Sequence, residues 1–456
     1  MRNMSLDEAV DFLLDRVEGP IRIGTPLGLG KPNPFLNRLY ERMRPDSSRG
    51  LEFYTALSLD PPRVKGLLAE NFFGPFAERQ FGPNYPRLSY VNDVLKNKLP
   101  DHIRVYEFFV QAGLYKNNPR AQADYVSLNY THVVANLVER GVNCIAQLVA
   151  RGPDGRLSLS CNPDLTLDLV DQSAAKGRTL VKIAVVHEGL PFLGGPAAVP
   201  ADYFDLILEG PEHAQELFAI PRMPFEVSDH LIGLHASQLP VDDGTLQIGI
   251  GALAEALSYS LILRHERNAL YRQLVGRLPS NPMGPPISHE PFRAGLYGMS
   301  EMVMDSFMHL RKAGILTREV QNKKSPHPRY LHGGFFLGSK PFYAWLKGLS
   351  EKDRRGISMT RISKINDLYD EDEAAVRAQR KNARFFNSTM QVSLLGEALS
   401  DTLQDGRVIS GVGGQYNFVA MSRELPDAYS TLLLRSTWHD GKRRRSNIVM
   451  HGGHVT

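Results

Sequence analysis

Leu246-Gln247-Ile248-Gly249-Ile250-Gly251-Ala252 passes from a short apolar strand pattern through a Gly-x-Gly turn into a helical pattern over residues 252–264. The same layout occurs earlier, where Leu27-Gly28-Leu29-Gly30 precedes a helical pattern over 35–42. Two strand, glycine-turn, helix units some 220 residues apart point to two related α/β units. Elsewhere helical patterns alternate with short β-branched runs, the mark of α/β layering with parallel or mixed sheets rather than a bundle or a sandwich. The clearest strand patterns cover 105–110, 142–148, 181–186, 205–209, 246–250, 407–410 and 430–434. A proline-containing stretch, 220–228, separates a first domain over 1–228 from a second over 229–456.

The 456 residues are 42% hydrophobic and 22% charged, ordinary for a chain with two packed cores. Fifty-three basic against 49 acidic residues give a net charge of +4, too even to suggest a nucleic-acid partner. Cys144 and Cys161 are the only cysteines, too few for a disulfide framework, so a reducing cytoplasmic setting is expected. Residues 1–18 carry acids among apolar residues at helical spacing and read as a first helix, not a signal peptide. No run approaches the roughly 20 apolar residues of a membrane span, so no membrane association is expected.

Backbone N–H groups at glycine turns and helix starts bind phosphates or a developing oxyanion. Gly28–Gly30, Gly249–Gly251 and Gly411–Gly414 are the three such turns, although glycine in any one of them also serves simple packing. None of the three turns completes the Gly-x-Gly-x-x-Gly dinucleotide spacing, position 33 being Asn33 and position 254 Ala254, which speaks against a nicotinamide-binding reading. In Gly298-Met299-Ser300-Glu301-Met302, Glu301 is expected at a strand-to-helix turn, with Gly314 capping the helix that follows. On pattern alone, a first-turn glutamate favoured by the helix dipole is the commoner reading of Glu301. Residues 279–288 and 323–329 read as proline-bearing loops, and 370–373 as the acidic first turn of a helix running through 374–383. His132 reads as a structural histidine and Tyr343 and Trp345 as core. Residues 442–445 read as part of a solvated hairpin, and His451 with His454 is too sparse a set for a metal, so none is expected.

Six segments, in order, resemble the acetyl-CoA hydrolase/transferase family. They are Gly24 to Asn33 (GTPLGLGKPN), Asn129-Tyr130-Thr131-His132, Pro153 to Leu159 (PDGRLSL), Gly249-Ile250-Gly251-Ala252, Ser300-Glu301-Met302, and Gly411 to Phe418 (GVGGQYNF). The resemblance, of the family I coenzyme A transferase, acetate/4-hydroxybutyrate type, implies two related open α/β domains with the active site between them. It implies that Glu301 is the nucleophile that attacks an acyl-CoA. It further implies that Gly249, Gly251, Ala252, Gly411, Gly413, Gly414 and Gln415 line the oxyanion and coenzyme A region, and that Asn366 lines the site. Coenzyme A enters as a substrate, with no cofactor, and a small carboxylic acid is the second partner; a homodimer is left open. The family's sequences continue past the match to His454-Val455-Thr456 into a segment that brings a second carboxylate near the site, whereas this sequence stops at Thr456. A shortened chain is therefore expected, and with it three readings stand: a coenzyme A transferase, a short-chain acyl-CoA hydrolase, and an inactive acyl-CoA-binding protein.

Overall fold

A computed structural model describes residues 4–221, 224–279, 284–321, 327–369 and 372–452. Its architecture is α/β, with two largely parallel sheets that follow one another along the chain. In the first, Ile103–Glu107, Leu51–Thr55, Ile21–Gly24, Cys144–Arg151, Val181–Val186 and Leu206–Leu208 lie side by side, all parallel. The short strands Leu157–Ser158 and Ala198–Val199 extend it antiparallel from the end of Cys144–Arg151. The second sheet has the order Ile357–Met359, Leu331–Phe336, Tyr297–Val303, Thr245–Ile248, Ala383–Ser388, Tyr429–Leu433, again parallel throughout. Strands covered on both faces need continuous apolar runs, and Cys144–Arg151 and Leu331–Phe336 are buried along almost their whole length.

Both glycine turns occupy the expected place between strand and helix. Ile21–Gly24 leads through Gly28–Gly30 to the helix Asn33–Met43, and Thr245–Ile248 leads to the helix Ala252–Glu266, whose N-cap is Gly251. Gly28–Gly30 itself is fully buried and packs against Leu57 and Asn162. The first helix runs over Leu6–Arg16, closed by a Ser5–Glu8 capping box.

Two expected positions in strands and turns are corrected. Residues 407–410 form no strand; Val408 only bridges Thr402, because Gly406 turns the chain with φ +82° just before it. Glu301 lies not at a turn but inside the strand Tyr297–Val303, with the next helix starting only at Asp305. Of the expected loops, 280–283, 322–326 and 370–371 fall outside the described residues; the helix after the last begins at Glu373, and Arg329 is buried rather than exposed. Tyr343 is core, Trp345 packs against it partly buried, and His132 is exposed. Residues 442–445 sit in a hairpin between Thr437–His439 and Arg444–Ser446. Both cysteines are buried and free. Among the described residues no helix is long and apolar enough to cross a membrane, and no three metal-ligating side chains gather; His454 lies outside them.

Candidate active site

The C-terminal ends of the second sheet's strands open onto a cleft of about 580 Å³ whose other wall comes from the first half of the chain. Ligands meet open α/β sheets at this edge. Leu57, Phe109 and Tyr130 supply the first-half wall; Glu301, Gly249–Ala252 and Gly411–Gln415 supply the second.

Glu301 sits near the end of its strand, two residues before Val303, and is partly accessible from the cleft. Its carboxylate accepts a hydrogen bond from Asn366 Nδ2 at 2.5 Å and another from the backbone N–H of Gly414. Asn366 ends the short helix Ile362–Asn366 and is 2% exposed. Behind it, Asn366 Nδ2 also approaches Asn417 Oδ1 at 3.4 Å, and Asn417 Nδ2 donates to Thr131 Oγ1 at 3.0 Å. One amide chain therefore ties the carboxylate to the first half.

Burial pushes the Glu301 carboxyl from its ordinary 4.5 up to about 7; the charge of Asp164 adds to the rise, while the Asn366 and Gly414 donors oppose it. Asp164 is itself buried, which lifts it to about 6 against the pull of the Tyr130 hydroxyl, which donates to its Oδ2. Tyr130 thus stands between two carboxylates and lines the cleft. Deeper in the first half, Lys31 is buried and donates to the carbonyl oxygens of Ala56 and Leu57; burial brings it down to about 7.

The glycine loop is placed by the first half. Tyr130 N donates to Gly413 O at 3.0 Å, Val110 N to Ser410 O at 3.3 Å, and Gly411 bridges Phe109. Gly414 then caps the helix Gln415–Glu424, and the Gln415 side chain accepts from Ser400 Oγ at 2.9 Å. On the opposite rim, the Gly249 amide is occupied by Phe386 O at 2.7 Å and is no free donor. Gly251, at φ +105°, starts the helix whose first amides have no partner within the helix.

All nine residues singled out from the sequence therefore come together around one cleft, Asn366 by its bond to Glu301 and the other eight by lining the wall. Sequence reading passed over Tyr130 and Asn417, although both stand in quoted motifs, because attention fell on the neighbouring His132 and on the glycines. Asp164 and the phenylalanines at the far end of the cleft, Phe76, Phe81 and Phe218, carried no motif at all.

Residues 338–456 match the family model of the acetyl-CoA hydrolase/transferase C-terminal domain. The chain is 25% identical over 363 residues to the 4-hydroxybutyrate coenzyme A transferase of Clostridium kluyveri, covering 78% of this chain and 72% of that one. It is 22% identical over 365 residues to the succinyl-CoA:acetate/propanoyl-CoA:succinate CoA transferase of Fasciola hepatica, covering 79% of this chain and 66% of that relative. Its fold is that of RipA from Yersinia pestis, with a TM-score of 0.68 at 19% identity over 99% of this chain and 85% of that structure. The 4-hydroxybutyrate CoA-transferase of Porphyromonas gingivalis superposes with a TM-score of 0.58 at 17% identity, over 98% and 85% of the two chains. These relatives, this C-terminal match and this fold together support the acetyl-CoA hydrolase/transferase family for the chain, with residues 338–456 as the part that its model matches.

Proposed function

We propose that the chain moves coenzyme A between carboxylic acids through covalent intermediates on Glu301. The observation that carries this reading is the partly accessible Glu301 carboxylate, held by Asn366 Nδ2 and the Gly414 N–H, in a cleft between the two halves of the chain.

A carboxylate that titrates near 7 is about half ionised at neutral pH, so it attacks without a general base. A Glu301 oxygen bonds to the thioester carbon, the C–S bond breaks, and coenzyme A leaves as thiolate, giving an acyl–glutamyl anhydride. A thiol's pKa of about 8.5 makes that departure possible without a general acid. The thiolate then attacks the glutamyl carbonyl and releases the first carboxylate, leaving a glutamyl–CoA thioester. An incoming carboxylate reverses both steps and carries coenzyme A away.

Each tetrahedral intermediate places negative charge on an oxygen that needs donors; losing one such donor typically costs about 3–4 kcal/mol of barrier. Asn366 Nδ2, the Gly414 amide and the free amides at the start of Ala252–Glu266 are the groups suited to it. The pantetheine and nucleotide arm is remote from the reacting carbon, and its binding energy is available to position the thioester. The open groove that continues from Gly251, Ala252 and Ser388 past Trp438 and Arg444 is a route for that arm, with the Arg444 guanidinium for phosphate, while Arg435 is held by Asp229 and Glu226.

Hydrolysis is the second reading, favoured by the accessibility of Glu301 to solvent through the cleft. Incubating the protein with an acyl-CoA and no acceptor, then digesting and weighing the peptides, is expected to find coenzyme A on Glu301. An adduct on another residue, or full turnover by Glu301→Ala, would sink the assignment; Glu301→Asp, one methylene short, is expected to retain only a small residue of activity.

A further inference from the structure

The cleft is not uniform along its length. From Glu301, the route past Met302, Met304, Phe335 and Leu337 leads to a chamber closed by Phe76, Phe81 and Phe218. The geometry of this chamber is fixed by contacts outside the catalytic loop. Phe81 packs against Phe218 at a tilt of 54° with ring centroids 4.8 Å apart, Ala219 N donates to Gln80 O at 2.7 Å, and Leu337 N donates to Val303 O at 3.2 Å. The opposite direction is polar: Glu255, Asn387, Ser388, Ser400 and Gln415 line it, and it alone shares residues with the open groove carrying Arg435 and Arg444.

We propose that the apolar chamber takes the acyl group, and that the substrates are acyl-CoAs and free acids with medium-length hydrocarbon chains rather than acetyl or dicarboxylic acyl groups. This rests on the coenzyme A transfer proposed above. Three observations converge on it. None of the described residues lining the cleft is a lysine, arginine or histidine, so the far carboxylate of a dicarboxylic acyl group would be buried there without a cation, an expensive placement. The one buried cation behind this wall, Lys31, is committed to the Ala56 and Leu57 carbonyls. Pantetheine, with its two amides, fits the polar branch with the groove beyond it, whereas the chamber is mostly apolar, with Gln80 as a polar side chain among its phenylalanines. An acetyl group, in contrast, would leave the chamber unfilled.

The chamber also has an apolar exit. Phe76 both lines the cleft and is 38% exposed, on the helix Leu67–Phe81, where Leu67, Leu68 and Phe72 are each at least 74% exposed. Chains too long for the chamber meet hydrocarbon surface, not water, as they emerge.

Each methylene buried is worth about a fourfold gain in binding. With hexanoate as the common acceptor, the full chain is given acetyl-, butanoyl-, octanoyl- and succinyl-CoA, and hexanoyl-CoA, free thiol and the coenzyme A adduct on Glu301 are measured. The expected result is a kcat/KM rising along the series, octanoyl-CoA at least about 100-fold above acetyl-CoA and succinyl-CoA lowest. Phe76→Arg, a change at a half-exposed position, is expected to lower the octanoyl-to-acetyl ratio about tenfold or more. Turnover best with acetyl- or succinyl-CoA, with the adduct still on Glu301, would overturn the acyl assignment and leave coenzyme A transfer standing. No turnover of any donor and no adduct would overturn coenzyme A transfer itself, and this inference with it.

Discussion

Replacing Gly414 with alanine tests the site at its tightest point. A methyl group built on Gly414 would overlap Oε2 of Glu301 and Nδ2 of Asn366 and come within 2.9 Å of the Glu301 carboxyl carbon. Carbon atoms need about 3.5–4.0 Å, so the carboxylate must shift by about 1 Å, and the cleft is the space open to it. The shift breaks the 2.5 Å bond to Asn366 and the bond from the Gly414 amide together. A misplacement of about 1 Å costs about 100-fold, and a lost oxyanion donor costs about 100- to 1,000-fold, so kcat/KM should fall by about 100- to 1,000-fold. The fold should tolerate the change, because φ −102° and ψ 7° suit any residue and the obstacle is a side chain that can swing away. Gly413 is the crossed control. There φ is +57° while a methyl would meet Phe109 and Glu301 only at 3.6 and 3.8 Å, so Gly413→Ala should lose about 1–2 kcal/mol of stability with a smaller loss of rate. Coenzyme A transfer followed by mass spectrometry, beside urea unfolding of both variants, measures the pair. Gly414→Ala within about threefold of the wild-type kcat/KM would refute steric displacement of Glu301.

The pH dependence is set by the same neighbours. Activity of the free enzyme should climb through about pH 7 as Glu301 ionises, and the limb should move up in Asn366→Ala, which loses a donor to the anion, together with a drop of about 100-fold or more in kcat/KM. In Asp164→Asn the limb should move down, since the Asp164 charge disfavours a second anion; a pH–rate profile of kcat/KM distinguishes the two, and shifts of the opposite sign would overturn the assigned causes. Because the folded-state value lies above the ordinary 4.5, folded Glu301 holds its proton where the unfolded chain releases it, and its ionisation opposes folding between about 4.5 and about 7. Glu301→Gln should therefore be more stable than wild type by roughly 3 kcal/mol at pH 8 and gain nothing from this source at pH 4, measured by urea unfolding at both values.

How much of this was legible in the sequence depends on whether the signal was local. The two Gly-x-Gly turns were, because a strand, a turn and a helix are read within about 20 residues of chain. Leu331–Phe336 was not, since Gly333 and Gly334 hide its strand character. A methyl on Gly333 would meet Met359 at 3.1 Å, and one on Gly334 would meet the Glu301 carbonyl oxygen at 2.9 Å, so the glycines are demanded by neighbours distant in sequence. Residues 407–410 failed in the other direction: Val408-Ile409 looks β-forming, but the Gly406 turn before it and the attachment of Ser410 and Gly411 to Phe109 and Val110 leave no parallel neighbour. Glu301 was singled out by the Ser300-Glu301-Met302 resemblance, while its spacing carried only a helix-start pattern; its strand position and raised pKa come with burial near Tyr130 and Asp164, which no spacing encodes. The acyl chamber is the same case, assembled from a helix, a loop and two strand ends that share no motif.

Closing the two halves and positioning Glu301 are coupled in this structure. The stretch 409–414 is tied to the second half at its start, by Ile409 N and Ser410 N on Asp401 O at 2.8 and 3.2 Å, and to the first half along its length, by Gly113 N on Ile409 O at 2.8 Å, Val110 N on Ser410 O and Tyr130 N on Gly413 O. Gly414 can donate to Glu301 only while those bonds hold the loop against the carboxylate. A perturbation of the seam should then act on catalysis before stability, even where no reacting group is touched. Gly411→Ala supplies it: the added methyl would come within 2.6 Å of Phe109 Cα and lift the loop from the first half. The expected result is a loss of kcat/KM of about tenfold or more, a Glu301 limb shifted to higher pH as the Gly414 donor recedes, and little change in urea midpoint. A variant that unfolds more easily but keeps the wild-type limb and rate would mean that the loop is placed by the second half alone, and that the seam serves only to hold the protein together.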